Sequence, residues 1–167
     1  MLIPAWCASS APHATAPRQA GLYASSTPED AARAFLTEYG ALFGLTDAAR
    51  ELRVMRTQSA DRGRAFVRFQ QVYCDVPVLG GELVVQLDPE RNVVSANGEV
   101  APALSVDMTP RVAPEMARAI ALDAVAKQET VARAVLSASN PELWIYAPAL
   151  LGAPGVRQPR LVWRSEV

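Results

Sequence analysis

Hydrophobic positions along this chain pass from a helical period to a period of two, and then do so a second time. The first clear element starts at Ser26-Thr27-Pro28-Glu29-Asp30. Thr27 suits an N-cap, Pro28 the first helical position, and Glu29 and Asp30 the positive end of the helix dipole. Ala31, Ala32, Phe35, Leu36, Tyr39, Leu42 and Phe43 then recur at helical spacing, and Gly44 follows as a natural stop. The spacing predicts one amphipathic helix over 28–43 whose aromatic stripe faces a core.

Alternation follows. Leu52–Arg56 is a short strand candidate, and Asp61-Arg62-Gly63 turns the chain into Ala65–Tyr73, where Val67, Phe69, Gln71 and Tyr73 share a face. Val76-Pro77-Val78 predicts a kink at a sheet edge or corner, because a central strand does not tolerate proline. Gly80-Gly81 leads into Glu82–Asp88, with Leu83, Val85 and Leu87 inward and Glu82 and Gln86 outward. Asp88–Asn92 is a turn, and Val93–Asn97 returns antiparallel.

The second half repeats the order with less of it. Val100–Val112 has two prolines and no clear period and reads as a linker. Pro114 opens a helix with Met116, Ala117, Ile120, Ala121, Ala124 and Val125 on one face, and a weaker helical segment covers Glu129–Ser137. Leu143–Tyr146 and Arg160–Val167 are strands around a Pro/Gly loop, and Trp144, Tyr146 and Trp163 are the expected core of this part. The predicted fold is α+β: a helix packed on a four-stranded antiparallel sheet, followed by a second, incomplete helix-plus-strands module. The expected divisions are a tail at 1–24, a first module at 25–100, a linker at 101–112 and a second module at 113–167, cut short at its C-terminus. Two strands and one helix make a poor core, so Arg160–Val167 is expected to offer an exposed edge.

Composition then narrows the chemistry. The chain has 167 residues, half of them hydrophobic but only 7% aromatic, so alanine supplies much of the apolar fraction and little core volume. Lys127 is the only lysine, and arginines such as Arg33, Arg53, Arg68, Arg118 and Arg133 are scattered, so no nucleic-acid footprint is expected. His13 is the single histidine, which excludes a His-Glu-x-x-His zinc site. It sits in the aperiodic 9–17 stretch, where a solvated loop histidine is expected and not half of a Ser-His or Cys-His pair. Cys7 and Cys74 lack metal-type neighbours and read as free thiols. No run reaches the roughly 18 apolar residues of a membrane span. The start, Met1–Cys7, lacks the basic region and apolar length of a signal peptide. Glu82 and Asp88, about 20 Å apart at strand rise, are not an acid/base pair. No catalytic or metal-binding residues are expected.

One stretch goes beyond generic patterning. Val67-Arg68-Phe69-Gln70-Gln71-Val72-Tyr73, a turn, then Val76-Pro77-Val78-Leu79-Gly80-Gly81-Glu82-Leu83-Val84-Val85 resembles the fungalysin/thermolysin propeptide motif. That family carries Arg-x-x-Gln-x-Tyr, a turn, and Val-Pro-Val-x-Gly-Gly-x-Leu-Val-Val. Asn92–Gly98 fits its closing strand, and Ala41–Leu45 the end of its first helix. The resemblance extends through Thr109-Pro110 to a helix similar to the start of a PepSY domain, and over Glu142–Gly152 and Arg160–Val167. Asp75 stands where the family carries a glycine; aspartate tolerates the left-handed backbone, so the turn can survive. The family's final hairpin and zinc peptidase domain do not follow Val167 in this sequence.

The resemblance implies a non-catalytic pro-region of a secreted thermolysin-like zinc metallopeptidase, which assists folding of the peptidase and holds it inactive. It implies a cognate peptidase domain as partner, no nucleic acid or membrane, a monomer, and zinc and calcium only in the parent peptidase domain. Its motif residues Arg68, Gln70, Gln71, Tyr73, Val76, Pro77, Val78, Gly80, Gly81 and Leu83 are the candidate peptidase contacts. The residues themselves leave a second reading open, in which Arg68 and Gln70 line a solvated sheet face, Tyr73 packs in the core, and the proline and glycines set a corner. Alternatives for the whole chain are a stand-alone inhibitor or binding module of the same fold, or a truncated product without a partner.

Overall fold

The computed structural model describes residues 27–154 and 158–167. The readings placed on Cys7, His13 and the 1–24 tail lie outside them. The first helix, α1 (Pro28–Tyr39), begins as its capping signal demands. The Thr27 hydroxyl accepts the Asp30 N–H at 3.1 Å, and the Asp30 carboxylate accepts the Thr27 N–H at 3.2 Å. Thr27 also donates its hydroxyl to Asp30, and this bond, ahead of the backbone one, holds the Asp30 carboxyl below its ordinary 3.8. Ala31, Ala32 and Leu36 are the buried face.

The helix does not run to residue 43. Gly40–Phe43 tightens into a 3₁₀ turn ending at Gly44, φ +91°. A three-residue turn advances 120° per residue instead of 100°, so Leu42 leaves the predicted stripe and is 83% exposed. A four-residue helix, α2 (Ala48–Glu51), follows, with Asp47 accepting the N–H groups of Ala49 and Arg50. It is too short to leave a period in the sequence.

Four strands then form in order: β1 (Leu52–Ser59), β2 (Ala65–Tyr73), β3 (Val76–Leu87) and β4 (Val93–Glu99). β1 pairs β2, β2 pairs β3 and β3 pairs β4, all antiparallel. Val67 and Phe69 of β2 and Leu83, Val85 and Leu87 of β3 are fully buried and pack with α1, Leu45, Leu52 and Val100 into the main core. Burying one such Val, Leu or Phe side chain is worth about 1.5–3 kcal/mol. This half joins helix and antiparallel strands as expected, but its four strands belong to a larger sheet and are not a four-stranded sheet of their own.

The second half differs. Its strands, β5 (Glu142–Tyr146) and β6 (Arg160–Arg164), are not a separate sheet. β5 runs parallel to the start of β3, pairing Val78 with Ile145 and Leu79 with Tyr146, and β6 pairs β5 antiparallel. The result is one six-stranded, mostly antiparallel sheet, β1-β2-β3-β5-β6, with β4 also on β3. β2 occupies one side of β3 along its length, so β4 and β5 share the other.

Pro77 therefore does not mark an edge. It sits opposite Val72 near the start of a twelve-residue central strand. Proline is tolerated there because the pairing with β5 begins one residue later, at Val78, and asks nothing of its missing N–H.

The expected core of this half is also displaced. Trp144, Tyr146 and Trp163 are only half-buried, and Ile145 is the buried residue of β5. Alternation puts Trp144 and Tyr146 on the opposite face, where the guanidiniums of Arg164 and Arg160 stack over their rings at 5.2 and 5.3 Å. Ile145, Val78, Ala101 and Ala147 form a second small core.

The predicted linker is no free tether: Leu104, Val106 and Met108 pack on this second core. The last helix, α3 (Pro114–Glu129), forms where expected but buries nothing, with Met116 58% and Ile120 55% exposed. Glu129–Ser137 is not a helix. Thr130 turns left-handed at φ +53° and stops α3, leaving one 3₁₀ turn at Arg133–Val135.

Candidate functional site

Gln70, Gln71, Val78, Gly80 and Gly81 converge on one place, the junction where β3 changes neighbours. Between the pairs Gln70–Glu82 and Val72–Pro77, a single residue of β2 faces four of β3. Val78–Gly81 bulges away from β2 and meets β5 on the other side. Gly80 carries the positive φ of +79° that this bulge requires.

The same register slip turns two adjacent glutamines inward, against the alternation that put only Gln71 with Val67 and Phe69. Gln70 is 6% exposed and Gln71 1%. The Gln70 amide donates to the carbonyls of Val78 at 2.7 Å and Gly81 at 2.9 Å, capping backbone that the bulge takes out of pairing with β2. Gln71 donates to the Ala101 carbonyl at 2.8 Å and accepts the Ala101 N–H at 2.8 Å. Its side-chain amide thus imitates a strand neighbour for the residue that opens 101–112. Gly81 makes this possible: a Cβ there would stand 2.8 Å from Gln71 Oε1.

Of the other candidates, Val78 is fully buried in the second core, and Tyr73 and Val76 pack half-buried against it. Pro77 is half-buried beside them, and Leu83 lies in the main core. Arg68 alone projects from the sheet. It ion-pairs with Glu82 on the face opposite α1, and Arg56 stands directly across from it. Ser95 and Gln86 pair on β4 and β3, where the Ser95 hydroxyl donates to Gln86 Oε1 at 3.3 Å. This open face is polar and long-armed. Gln70 does not line it, because its amide is consumed inside.

The hairpin between β2 and β3 is a two-residue turn in which Cys74 (φ +49°) and Asp75 (φ +65°) are both left-handed. Aspartate in the place of the family's glycine does adopt the strained conformation. Arg53 braces it, donating to the Asp75 carboxylate at 3.2 Å. Cys74 is exposed and forms no disulfide among the described residues.

Ala101 is the partner of Gln71 that the sequence did not reveal, since an alanine in an aperiodic stretch carries no signal. Among the described residues no group of three His, Cys, Asp or Glu side chains comes together to hold a metal ion, and no helix is long and apolar enough to cross a membrane. A search of curated proteins finds no match to this chain. The scan of family models does: residues 50–100, the span of β1–β4 and the junction, match the Fungalysin/Thermolysin Propeptide Motif.

Proposed function

We propose that this chain acts as the pro-region of a secreted thermolysin-like zinc metallopeptidase, a folding assistant that also holds the peptidase inactive. The observation that carries the reading is the propeptide-motif match over 50–100, on residues that form four consecutive strands of the sheet. A propeptide of this type works in association with its peptidase domain. Residues 113–167 are read as a PepSY-like module, on the order helix, strand, strand that α3, β5 and β6 follow. Zinc and calcium belong, in this reading, to the peptidase domain.

The physical rationale is kinetic. A protease trapped behind a high unfolding barrier also folds slowly, and a template that lowers the barrier can stay bound to the product. Such binding calls for a specific interface of about 1,600 Å² in total. We assign the contact to the open sheet face bearing Arg68 and Glu82, because Gln70 and Gln71 are occupied within the junction. Their role in this reading is to hold that face in shape.

The test adds the purified chain to a thermolysin-like peptidase at micromolar concentration, in an inhibition assay and in refolding from denaturant. Inhibition and a raised yield of active enzyme are expected, and Arg68→Glu is expected to weaken both. No inhibition and no refolding assistance would overturn the proposal. Inhibition without assistance would favour a stand-alone inhibitor of the same fold.

A further inference from the structure

The open face of the sheet, opposite α1, breaks a pairing rule twice. Residues directly opposite on neighbouring strands point to the same face, and like charges placed so repel. On this face Arg56 of β1 stands opposite Arg68 of β2. Glu82 of β3 stands opposite Glu99 of β4. All four lie within the propeptide-motif match, yet Arg56 and Glu99 are not part of its motif string.

One ion pair, Arg68 with Glu82, crosses the middle of the sheet and neutralises one charge of each sign. Arg56 and Glu99 are exposed and have no ion-pair partner among the described residues. The face is therefore a dipole, with an unpaired positive charge on β1 and an unpaired negative one on β4. Three strand spacings, about 14 Å, separate those strands. Between them Phe66 of β2 and Val84 of β3 are half-buried and form an apolar middle.

The fold itself does not call for this arrangement. The core lies on the other face, so reversing either outer charge would leave the packing intact and turn a repulsive pair into an attractive one. Sequences break their local rules chiefly at functional surfaces. Two such breaks of opposite sign, on opposite sides of one face, suit a partner that carries the complementary pattern.

We infer that Arg56 and Glu99 set the orientation in which the peptidase domain docks on this face. The inference rests on the pro-region reading and names the chemistry of the partner surface. That surface carries a carboxylate opposite Arg56, a basic side chain opposite Glu99, and an apolar contact between them for Phe66 and Val84. A partner turned by half a revolution would set like charges against each other at both ends, so one orientation is favoured.

The experiment uses the full chain and the thermolysin-like peptidase of the inhibition assay above, at low and at high salt. Arg56→Glu, Glu99→Arg and the double variant are compared with the parent. The double variant keeps the net charge and reverses only its arrangement. Each single variant is expected to raise the melting temperature of the free chain, by removing a like-charge pair, and to weaken inhibition. The double variant is expected to weaken inhibition about tenfold or more at low salt, mainly through slower association, with the gap narrowing at high salt. Glu38→Arg, an exposed change on α1 across the sheet, is expected to leave inhibition unchanged.

Three results would each overturn the inference while leaving the pro-region reading in place: unchanged inhibition by the double variant, an equal loss in Glu38→Arg, or a lowered melting temperature in both single variants. A parent chain that neither inhibits nor assists refolding overturns the pro-region reading, and this inference with it. A concentration-dependent dimer broken by Arg56→Glu and restored in the double variant would also overturn it, by making a second copy the occupant.

Discussion

The sheet from Leu52 to Ala101 and the segment from Pro102 to Ser137 both carry spaced apolar residues, yet only the first builds a core. The strands bury Val67, Phe69, Leu83, Val85 and Leu87 completely. From Pro102 to Ser137 no residue is buried, and the apolar stripe of α3 is much fainter than that of α1. The difference lies both in the strength of the stripe and in what stands opposite it. α1 meets a sheet face made of β-branched and aromatic residues, whereas α3 touches little more than the 3₁₀ turn after it. Periodicity states which side chains would enter a core. Whether a core is there depends on another element arriving.

Hydrogen exchange offers the widest test of this contrast. Amides of β3 around Val85 should exchange only through global opening, which for a domain of this kind costs about 5–15 kcal/mol. An unpacked sixteen-residue helix is marginal by itself, so amides of α3 should exchange by local opening, orders of magnitude faster. Equal protection in α3 and β3 would show that α3 has a packed position. Amides of β6 near Trp163 should fall between the two.

Substitution gives the next largest effect. Phe69→Ala should cost about 3–5 kcal/mol in urea unfolding, as a void in a closed core does. Ile120→Ala should stay within about 0.5 kcal/mol, since the side chain is 55% exposed. A large loss at Ile120 would break the comparison. Gln71→Ala should cost about 2–4 kcal/mol, because it leaves the buried N–H and C=O of Ala101 without partners. It should also release the 101–112 segment, so that proteolysis begins between Pro102 and Val112 before the sheet is cut.

The smallest effect concerns the helix cap and sharpens the contrast from the α1 side. The Asp30 carboxyl titrates below its ordinary 3.8 because Thr27 hydrogen-bonds its charged form. A depressed folded-state pKa contributes stability above the unfolded value and loses it as pH falls through the folded one. The melting temperature of the parent should therefore exceed that of Asp30→Asn by a constant margin above about pH 5, and the margin should close below about pH 4. α3 has no such side-chain cap, and Ala113→Gly should show no such pH dependence.

Much of the first half was legible residue by residue. Thr27-Pro28 announced α1, the Val67/Phe69 and Leu83/Val85/Leu87 alternations announced β2 and β3, and the Gly80-Gly81 pair announced a backbone irregularity. Three features escaped for definite reasons. The 3₁₀ end of α1 changes the period within four residues, too few to show. The inward turn of both Gln70 and Gln71 follows from a bulge whose size depends on β5 pulling Val78–Gly81 aside. The arginine stacks on Trp144 and Tyr146 need the register of β5 against β6, which composition does not carry.

By itself the sequence determined the local elements: where α1 and α3 start, which strands alternate, which turn tolerates Asp75, and the motif string that the family scan matches over 50–100. Each of those depends on interactions between residues a few positions apart. The tertiary structure alone decided that β5 joins β3 in parallel, that Gln71 clamps Ala101 thirty residues away, and that α3 buries none of its side chains against the described residues. Those outcomes depend on which distant surfaces meet, and loop closure over such distances is set by the sum of many weak contacts, not by any local pattern.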